Sequence, residues 1–529
     1  MTVALAPTAT PATEKHHPVL GIAAITIGAL LSTIDTRVTN VGLADIRGSL
    51  SLGFDEGSWL TTAYSAAQLV LCLSAAWLGI VMSPRRVLLS TASVFMVASV
   101  FPPLTSDPTA LLVIQIVRGL AVGTFIPSTI AFIVRELPPR WWTWGIAAYA
   151  FRFVFFQNVS SSIEAFYDEN GLWQWIFWQD VPATLLMIVL VWFGMRRQPI
   201  DMAALRAGDW TGIAFGGIGL AVLYTGLDQG NRLDWLNSGT IVGLLVAGGL
   251  LMLAFLVNEL LVGRPLIDHK LLLHPNVLLP PLIITVYQFG VSATAFIVPD
   301  YLTRVQGFRS LQIADVVNWI ALPQFVLVPL MAWTLRYLDA RLLLAIGLAT
   351  VAVASWMNTD LTHDWTGGDF LPALLVGAVG LALAVTSIVT FGISNIRPGW
   401  AITIAGMIQT GRLFGAELGS AFIQTYVRTH EQIASNLVGQ QLKAGGFSAD
   451  QRTALLSDVL GSRAGGADNS TGEAMLTLGN LVRREAYVLA YIDAFWLIAW
   501  VVTAGLLLLI FLEPPPPNHL TPPRLPPVA

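Results

Sequence analysis

The chain has 529 residues, of which 55% are hydrophobic and only 11% charged, and its formal net charge is −4. Soluble domains carry about 25% charged residues, so this composition excludes an ordinary soluble protein and indicates a surface that faces lipid. No basic excess indicates nucleic-acid binding, and the single cysteine, Cys72, excludes an intrachain disulfide and argues against a metal or redox site built from cysteines.

Fourteen stretches of about 20 mostly apolar residues follow one another along the chain, and this is the length that an α-helix needs to cross a bilayer. The sequence therefore predicts an all-α polytopic membrane protein. The predicted spans are residues 19–41, 58–81, 87–105, 109–134, 143–164, 176–195, 209–227, 239–261, 276–299, 311–334, 341–357, 370–395, 401–427 and 487–512.

The segments outside the spans suggest an orientation. With an even number of spans both termini lie on one side, and the arginines and lysines of the short loops are concentrated on that side, which predicts cytoplasmic termini. The expected location is the cell membrane, or the inner membrane of a Gram-negative cell. The non-spanning segments are predicted as a disordered cytoplasmic tail (1–18), a charged cytoplasmic connector (196–208), a polar external loop with helical patches (428–486) and a Pro-rich cytoplasmic tail (513–529).

Span one contains the sequence IDTRVTN, which places Asp35, Arg37 and Asn40 within a membrane helix. An ionisable residue in a bilayer is a functional candidate, because it is costly to keep there. Burial favours the neutral acid, whereas a nearby cation favours the carboxylate, and this balance suits a site that binds and releases a proton. Asp35 is therefore predicted as a proton site. Arg37, two positions away, points to another face of the helix.

Span four contains the sequence IQIVRGLAVGTFIPS, with Arg118 midway along it. Arg118 is predicted either to neutralise Asp35 or to bind an anionic group. Gly119 and Gly123 are spaced for close helix packing, and Pro127 opens the backbone hydrogen-bond ladder.

Span five is unusual, because Arg152 is surrounded by phenylalanines and followed by Gln157, Asn158 and Glu164. Aromatic rings around one cation and several amides predict a pocket for a flat amphipathic molecule, with Phe156 as one of its rings. The alternative is that the phenylalanines face lipid beside a polar interior stripe.

Span thirteen contains the sequence MIQTGRLFGAELGSAF, in which glycines every four residues predict a close-packing face. Gln409 precedes Arg412 by one turn and is expected to share its face. Arg412 and Glu417 lie about 140° apart around the helix, so they are not expected to pair. Asp180 and Asp493 stand at span starts and are interpreted as interfacial charges.

No catalytic motif is found, since the sequence has no Walker loop, no HExxH and no Gly-rich dinucleotide turn. The chain is therefore not predicted to be an enzyme, and no cofactor or metal is expected.

At these residues the chain resembles the fourteen-span drug/proton antiporters of the major facilitator superfamily. The resemblance rests on segments in and around spans one to six and on three further segments. They are IDTRVTNVGLADIRGSLSLGFDEGSWLTTAY, RGLAVGTFIPS, WQWIFWQDVP, RPLIDHKLLLHPN, GRLFGAELGSAF and AYIDAFWLIAW.

This resemblance implies the major facilitator fold with 14 transmembrane helices, in two six-helix bundles (19–195 and 276–512), with a connector and an inserted helix pair between them (196–275). By resemblance, Asp35 and Arg118 couple transport to protons, and a central cavity alternates its access. The candidates for substrate binding are Arg37, Asn40, Arg152, Phe156, Gln157, Glu164, Gln409, Arg412 and Glu417.

The chain also departs from the family pattern. The loop after span two reads AWLGIVMSPRR, with Ile80 at the position of the usual acid, and span five has Arg152, Phe155 and Phe156 in the region where the antiporter motif needs Pro and Gly. Arginines outnumber acids among the predicted membrane charges, which favours an amphipathic organic acid over a lipophilic cation as substrate.

Three functions follow from this reading. The first is proton-coupled efflux of amphipathic toxic compounds, with protons, a small substrate, the bilayer and a periplasmic membrane-fusion adaptor protein as partners. The second is an organic-anion uptake symporter, and the third is a transport-inactive membrane sensor. The direction of flux distinguishes the first two, and signalling without flux identifies the third.

Overall fold

The computed structural model describes residues 18–136, 142–263, 265–266, 274–394, 401–444 and 470–514. The predicted tails lie almost entirely outside these residues. Within them, eleven helices are long and apolar enough to cross a membrane. Three more long helical segments, at 54–82, 142–169 and 401–444, coincide with predicted spans two, five and thirteen. Each of the fourteen predicted spans is thus a helix in the described part of the chain.

The labels α1 to α14 are used for these membrane helices, and several of them consist of consecutive pieces. The first six helices are α1 (Pro18–Val41), α2 (Phe54–Met82), α3 (Pro84–Val100), α4 (Pro108–Val122 and Phe125–Glu136), α5 (Trp142–Phe151, a π-helix at Arg152–Phe156, and Gln157–Glu169) and α6 (Trp175–Trp178 and Asp180–Gly194).

The next two helices follow a charged connector that contains a short helix, Met202–Arg206, whose first turn is capped by Asp201. This connector was expected as a charged linker, and the cap explains why one turn of it is ordered. The pair consists of α7 (Trp210–Gly230) and α8 (Gly239–Leu261).

The last six helices include two that are far longer than a bilayer requires. They are α9 (Pro275–Ser292, a π-helix at Ala293–Ile297, and Val298–Arg304), α10 (Ser310–Ala321 and Gln324–Thr334), α11 (Ala340–Met357), α12 (Leu371–Ser394), α13 (Ala401–Ala444) and α14 (Ser470–Leu508).

The helical patches that the sequence predicts within the external segment 428–486 are present, and they continue the membrane helices on either side. α13 continues without a break to Ala444, and α14 already begins at Ser470, while 445–469 lies outside the described residues. The physical reason is that the bilayer limits the length of an apolar stretch but not of a helix. Alanine, glutamine and leucine in the helical patches noted in the sequence favour continued helix in water.

Glycines allow the close helix contacts that the sequence predicts. A Cβ at Gly119 would lie 2.2 Å from the Tyr64 carbonyl oxygen, and one at Gly123 would lie 2.4 Å from the Gln68 carbonyl oxygen. α4 and α2 therefore touch backbone to backbone. In the same way, Gly411 and Gly415 of α13 pack against α9.

The inserted pair is not peripheral, because α7 packs along α2 and also contacts α13. A Cβ at Gly217 of α7 would lie 2.4 Å from the Val70 carbonyl oxygen of α2. α8 covers the other side of α7 and exposes leucines such as Leu250 and Leu253, as expected for a helix that faces lipid.

The first six and last six helices meet along two seams, α2 with α13 and α5 with α10 and α12. Both π-helices, in α5 and α9, lie in helices that line the space between these seams. A π-helical turn changes the register of the side chains that follow it. In α5 the residue after this turn is Gln157, which faces that space.

Candidate functional site

One fully buried cation lies between two fully buried acids in the N-terminal helices. Arg118 Nη2 of α4 donates to Asp35 Oδ1 of α1 at 2.5 Å and to Asp180 Oδ2 of α6 at 2.8 Å. All three side chains have an exposed fraction of 0%. Three helices are therefore joined by one guanidinium group, and the predicted contact between Arg118 and Asp35 is present.

The remaining donors of Arg118 are also engaged. Its Nε donates to the Ser99 hydroxyl at 3.1 Å, and its Nη1 donates to Gln115 Oε1 at 2.6 Å. The guanidinium lies over the rings of Tyr64, Phe95 and Phe177. Planar hydrogen bonding combined with ring stacking is what arginine supplies and lysine does not.

Each acid of this cluster has one free oxygen. Asp35 Oδ2 and Asp180 Oδ1 are buried and have no hydrogen-bond partner in the structure, while the Thr39 hydroxyl reaches Asp35 Oδ1 at 3.4 Å. Two carboxylates against one guanidinium leave a net negative charge in a site without water access. A proton on one carboxyl group is the simplest way to remove it.

The interpretation of Asp180 as an interfacial charge is wrong. A helical turn at Trp175–Trp178 precedes Asp180, so this residue lies inside the packed bundle, whereas the predicted start of the span placed it near the interface. Asp180 is missing from the predicted site for this reason. The signal available in the sequence was its position in the apolar segment WQWIFWQDVP.

A polar cavity of about 380 Å³ lies between the two halves. It is lined by residues of six helices, namely α1, α2, α5, α7, α9 and α13. Four predicted substrate-binding candidates line it: Arg37, Asn40, Gln157 and Glu417. An adjoining compartment shares these four residues and extends to Arg412. The structure thus brings five of the predicted residues together around one space.

The two faces of α1 have different roles in this arrangement. Asp35 points to Arg118 and Asp180, whereas Arg37 and Asn40 line the cavity. Residues two positions apart on an α-helix project about 200° apart, which explains the separation. A single helix therefore connects the buried charge cluster to the cavity.

Arg412 is held at the edge of the cavity by its own helix and by α5. Its Nε donates to Gln409 Oε1 at 2.9 Å, and its guanidinium lies 5.0 Å from the Phe153 ring centroid. The Tyr149 hydroxyl donates to the same Gln409 oxygen at 3.3 Å. The predicted shared face of Gln409 and Arg412 is present, and no salt bridge joins Arg412 to Glu417 among the described residues.

Arg152 does not have the surroundings that the sequence suggests. It is 1% exposed, its Nη1 donates to the Ala29 carbonyl at 3.0 Å and to the Thr33 hydroxyl at 2.5 Å, and it is absent from the lining of both compartments. The Arg152 guanidinium lies over the Tyr149 ring, 4.5 Å from its centroid, and not over the flanking phenylalanines described in the structure. These stack with one another and with Phe325 of α10: Phe151, Phe155 and Phe156.

Glu164 also lies away from the cavity lining. It is 2% exposed and packs near Gly42 at the end of α1. Phe156 belongs to the phenylalanine cluster described above. Arg152, Phe156 and Glu164 thus remain candidates from the sequence that the geometry does not bring to the cavity.

Several cavity residues were not predicted from the sequence. Gln288 of α9 is 3% exposed and lines the cavity, and its Oε1 has no hydrogen-bond partner in the structure. Tyr224 and Asp228 come from the inserted helix α7. An uncharged glutamine in an apolar span gives a weak signal. Asp228 follows the predicted end of span seven by one residue, so it lay outside the predicted membrane segments.

Comparison with known proteins agrees with this architecture. The family model described as Major Facilitator Superfamily matches residues 25–420. The chain is 21% identical to the fatty acid resistance protein FarB of Neisseria gonorrhoeae, over 93% of this chain and 95% of that protein. It is also 21% identical to the multidrug export protein EmrB of Haemophilus influenzae, over 95% of this chain and 98% of that protein.

Among solved structures, the proton:xylose symporter XylE with a bound glucose analogue superimposes with a TM-score of 0.53. The sequences are 14% identical, and the match covers 92% of this chain and 94% of XylE. At this identity the similarity concerns the fold only.

Proposed function

Because the chain belongs to the major facilitator superfamily, we propose that it is a secondary active transporter that exports amphipathic toxic compounds in exchange for protons. The observation that carries this proposal is the placement of a buried carboxylate cluster and a polar cavity on opposite faces of α1. The similarity to FarB and EmrB, which are named for fatty acid resistance and multidrug export, supports efflux as the direction.

The charge balance of the cluster provides the coupling. With both acids ionised, one negative charge remains uncompensated around Arg118, and a proton on either carboxyl group would compensate it. Protonation of Asp35 or Asp180 removes one of the two charged contacts to Arg118 and weakens its attachment to that helix. α1 transmits this change to Arg37 and Asn40 in the cavity, and access to the cavity alternates as one bundle moves against the other.

The cavity suits an amphipathic substrate that carries polar groups. Its walls offer guanidinium, carboxylate, amide and hydroxyl groups, and Phe296 and Val291 of α9 add apolar surface. A few directed polar groups in a partly apolar wall are typical of small-molecule sites.

We further propose that both termini are cytoplasmic, that the protein lies in the inner membrane if the cell is Gram-negative, and that a periplasmic membrane-fusion adaptor receives the exported compound. The bias of arginine and lysine between the loops supports this orientation. The extensions of α13 and α14 beyond membrane length then lie on the periplasmic side, where an adaptor is available.

An organic-anion symporter is the second candidate, and the two guanidinium groups of Arg37 and Arg412 at the cavity favour it. Direction of flux separates the two functions. An exporter moves its substrate out of the cytoplasm as protons enter, whereas the symporter moves substrate and protons inward together.

The test uses everted membrane vesicles with an imposed proton gradient, followed by a pH-sensitive dye. Ethidium, tetraphenylphosphonium and linoleic acid are added in turn to vesicles with the wild-type protein or Asp35→Asn. Linoleic acid carries protons across a bilayer by itself, so every response is compared with that of vesicles that lack the protein. We expect at least one compound to dissipate the gradient faster in wild type than in those vesicles and none to do so in Asp35→Asn, at equal protein abundance. Proton movement by Asp35→Asn at the wild-type rate would refute the role of Asp35. Uptake of labelled linoleic acid by intact cells, without any gradient response, would favour the symporter.

A further inference from the structure

The inserted helix α7 presents a carboxylate to the central cavity. Asp228, near the end of α7, lines the same space as Glu417 of α13. Tyr224, one turn before Asp228, interacts with Glu417. α7 is held in this position by backbone contact with α2 at Gly217. The pair that separates the two bundles in the chain therefore forms part of the cavity wall.

The two cavity acids differ from the buried cluster in one important respect. Asp35 and Asp180 form salt bridges with Arg118, whereas among the described residues no salt bridge involves Asp228 or Glu417. A buried carboxylate without a salt-bridged cation is unfavourable, and two carboxylates in one cavity repel each other. Proton binding removes both penalties.

Hydrogen bonds hold the Asp228 side chain on one edge only. The Gln229 amide donates to its Oδ2, and the Thr62 hydroxyl, which also reaches the Ser58 carbonyl, lies within hydrogen-bond distance of the same oxygen. No donor from the described residues reaches Oδ1. Thr62 and Gln229 are 1% and 2% exposed, so this support is rigid and shielded. The Asp228 carboxyl group is thus held in one orientation through Oδ2, and its Oδ1 is able to carry a proton.

The other charged side chains on the helices around Asp228 have partners of their own, line the same cavity or lie far from it. Arg232 donates to Gln229 Oε1 at 2.6 Å and pairs with Asp55, an exposed residue of α2. Arg37 of α1 lines the cavity with Asp228 and Glu417. The only acid or base on α8, Glu259, stands at the opposite end of that helix. Thr62, Gln229 and Arg232 form a hydrogen-bonded chain from Asp228 to Asp55 at the surface.

A further observation indicates that the cavity is built to receive hydrogen-bond donors. Gln288 Oε1 is a buried acceptor without a partner, and its residue lines the cavity beside Asp228 and Glu417. Buried acceptors are normally satisfied, so an unpartnered one in a cavity points to a ligand that donates. A protonated carboxyl group and a substrate N–H or O–H group both meet this requirement.

We propose that Asp228, on the inserted helix, is a second proton-binding site of the transport cycle, facing Glu417 in the cavity and separate from the Asp35–Arg118–Asp180 cluster. Its place in the cycle rests on the proposed proton-coupled function, but proton binding itself does not. Protons and substrate donors then compete for one pair of acids, while the buried cluster responds to protons alone.

The test is pH-difference infrared spectroscopy of the purified full-length protein in lipid vesicles, without substrate. Protonated carboxyl groups give a C=O band that is separate from the amide bands, and this band grows as the pH is lowered. We expect Asp228→Asn to lose one component of the wild-type band. Thr62→Val keeps the carboxyl group but removes a donor, so it should shift the frequency of that component and leave its amplitude unchanged.

The matched control is Asp234→Asn, in the loop after α7. Hydrogen bonds from Asn237 and Arg428 hold the pKa of Asp234 below its usual range, so its carboxyl stays ionised over most of the titration. We expect this variant to retain the Asp228 component. If Asp228→Asn gives the wild-type difference spectrum, the proposal is refuted. If Thr62→Val leaves the band unshifted, the assigned hydrogen bond is refuted and so is the orientation argument.

A transport measurement separates this result from the proposed function. Tetraphenylphosphonium-induced proton release from everted vesicles is recorded for wild type and Asp228→Asn. A titrating Asp228 in a protein that moves none of the compounds tested would overturn efflux and leave the proton site intact. Normal efflux by the wild type, with a carboxyl band that Asp228→Asn leaves unchanged, would support efflux and overturn the proton site at Asp228.

Discussion

At the scale of single residues, the charges of the side chains around Arg118 do not balance. One guanidinium serves two carboxylates, all three are removed from water, and each carboxylate keeps an unpartnered oxygen. A cluster intended only to fix helix packing would be more stable with matched charges, because an uncompensated buried charge is strongly unfavourable. This excess of acid is the basis of the proposal that one of the two carboxyl groups binds and releases a proton.

Asp180→Asn makes the cluster neutral without removing its shape. We expect protein abundance and melting temperature to remain near wild type, because the carboxamide oxygen still accepts from Arg118. The pH dependence of coupled flux should change, since the remaining Asp35–Arg118 pair has no excess acid to titrate. The measurement is the rate of substrate-induced proton release in vesicles over a range of pH values. A profile identical to wild type would show that Asp180 has a structural role only.

Arg37 tests the sign of the substrate charge. It lines both compartments of the cavity, as Glu417 does. Arg37→Gln keeps hydrogen-bonding capacity but removes the cation, so we expect transport of linoleic acid to fall about tenfold or more, the loss of one charge-assisted hydrogen bond. Transport of tetraphenylphosphonium should fall less or rise. Equal losses for the two compounds would argue against recognition of substrate charge by Arg37.

At the scale of elements, contacts between helix backbones determine which segments act together. α4 meets α2 at Gly119 and Gly123, and α7 meets α2 at Gly217. α2 is thus in close contact on two sides, with the helix of Arg118 and with the helix of Asp228. Such contacts leave little room for α4 or α7 to move relative to α2, because packed interiors hold few voids.

Gly217→Ala and Gly243→Ala form a matched pair on the two inserted helices. An added methyl group at Gly217 would lie 2.4 Å from the Val70 carbonyl oxygen, whereas at Gly243 it meets no atom within 4 Å. We expect Gly217→Ala to destabilise the protein by about 1–3 kcal/mol, as for an overpacked core. Gly243→Ala should be neutral or stabilising, because alanine favours helix.

The measurement for this pair is thermal unfolding in detergent, with Gly243→Ala as the control for the chemical change. If both variants melt at the wild-type temperature, the close approach of α7 to α2 is not as tight as the distance implies. A lower melting temperature in both would point to a general sensitivity of the inserted pair.

At the scale of the whole molecule, the helices could be predicted from the sequence, but the partners of their polar residues could not. Apolar length identifies a membrane helix locally, and the spacing of Asp35 and Arg37 on one helix indicates that they face different ways. Which charge Asp180 meets depends on how α6 packs against α4. The surroundings of Arg152 depend on a π-helical turn that no periodicity in the sequence indicates.

The continuity of α13 and α14 into the segment 428–486 was not predicted, for a related reason. Hydropathy reports where a chain leaves the bilayer, but it does not report whether the helix ends there. The role of α7 in the cavity wall was not predicted, because the sequence gives the position of the inserted pair in the chain but not its contacts. Tertiary contacts between α7 and α2 decide that point.

The orientation of the whole molecule can be tested with cysteine chemistry. Cys72 is buried and is the only cysteine, so Cys72→Ser gives a background without reactive thiols. In that background, Asn237→Cys lies in the α7–α8 loop and Arg206→Cys in the connector, and both positions are exposed. We expect a membrane-impermeant maleimide to label the first in intact cells and the second only in everted vesicles. The opposite pattern would invert the proposed topology.

The extended helices α13 and α14 have a mechanical consequence. α13 has 44 residues and is about 66 Å long, so about 25 Å of it projects beyond a bilayer of about 40 Å. α13 also carries Glu417 and Arg412 at the cavity. Packed subunits are known to rotate by about 15°. A rotation of the C-terminal bundle by this angle would move the projecting end of α13 sideways by about 6 Å. A small tilt within the protein therefore becomes a displacement of several ångströms at the end of α13, which is large enough to change a contact with a neighbouring molecule.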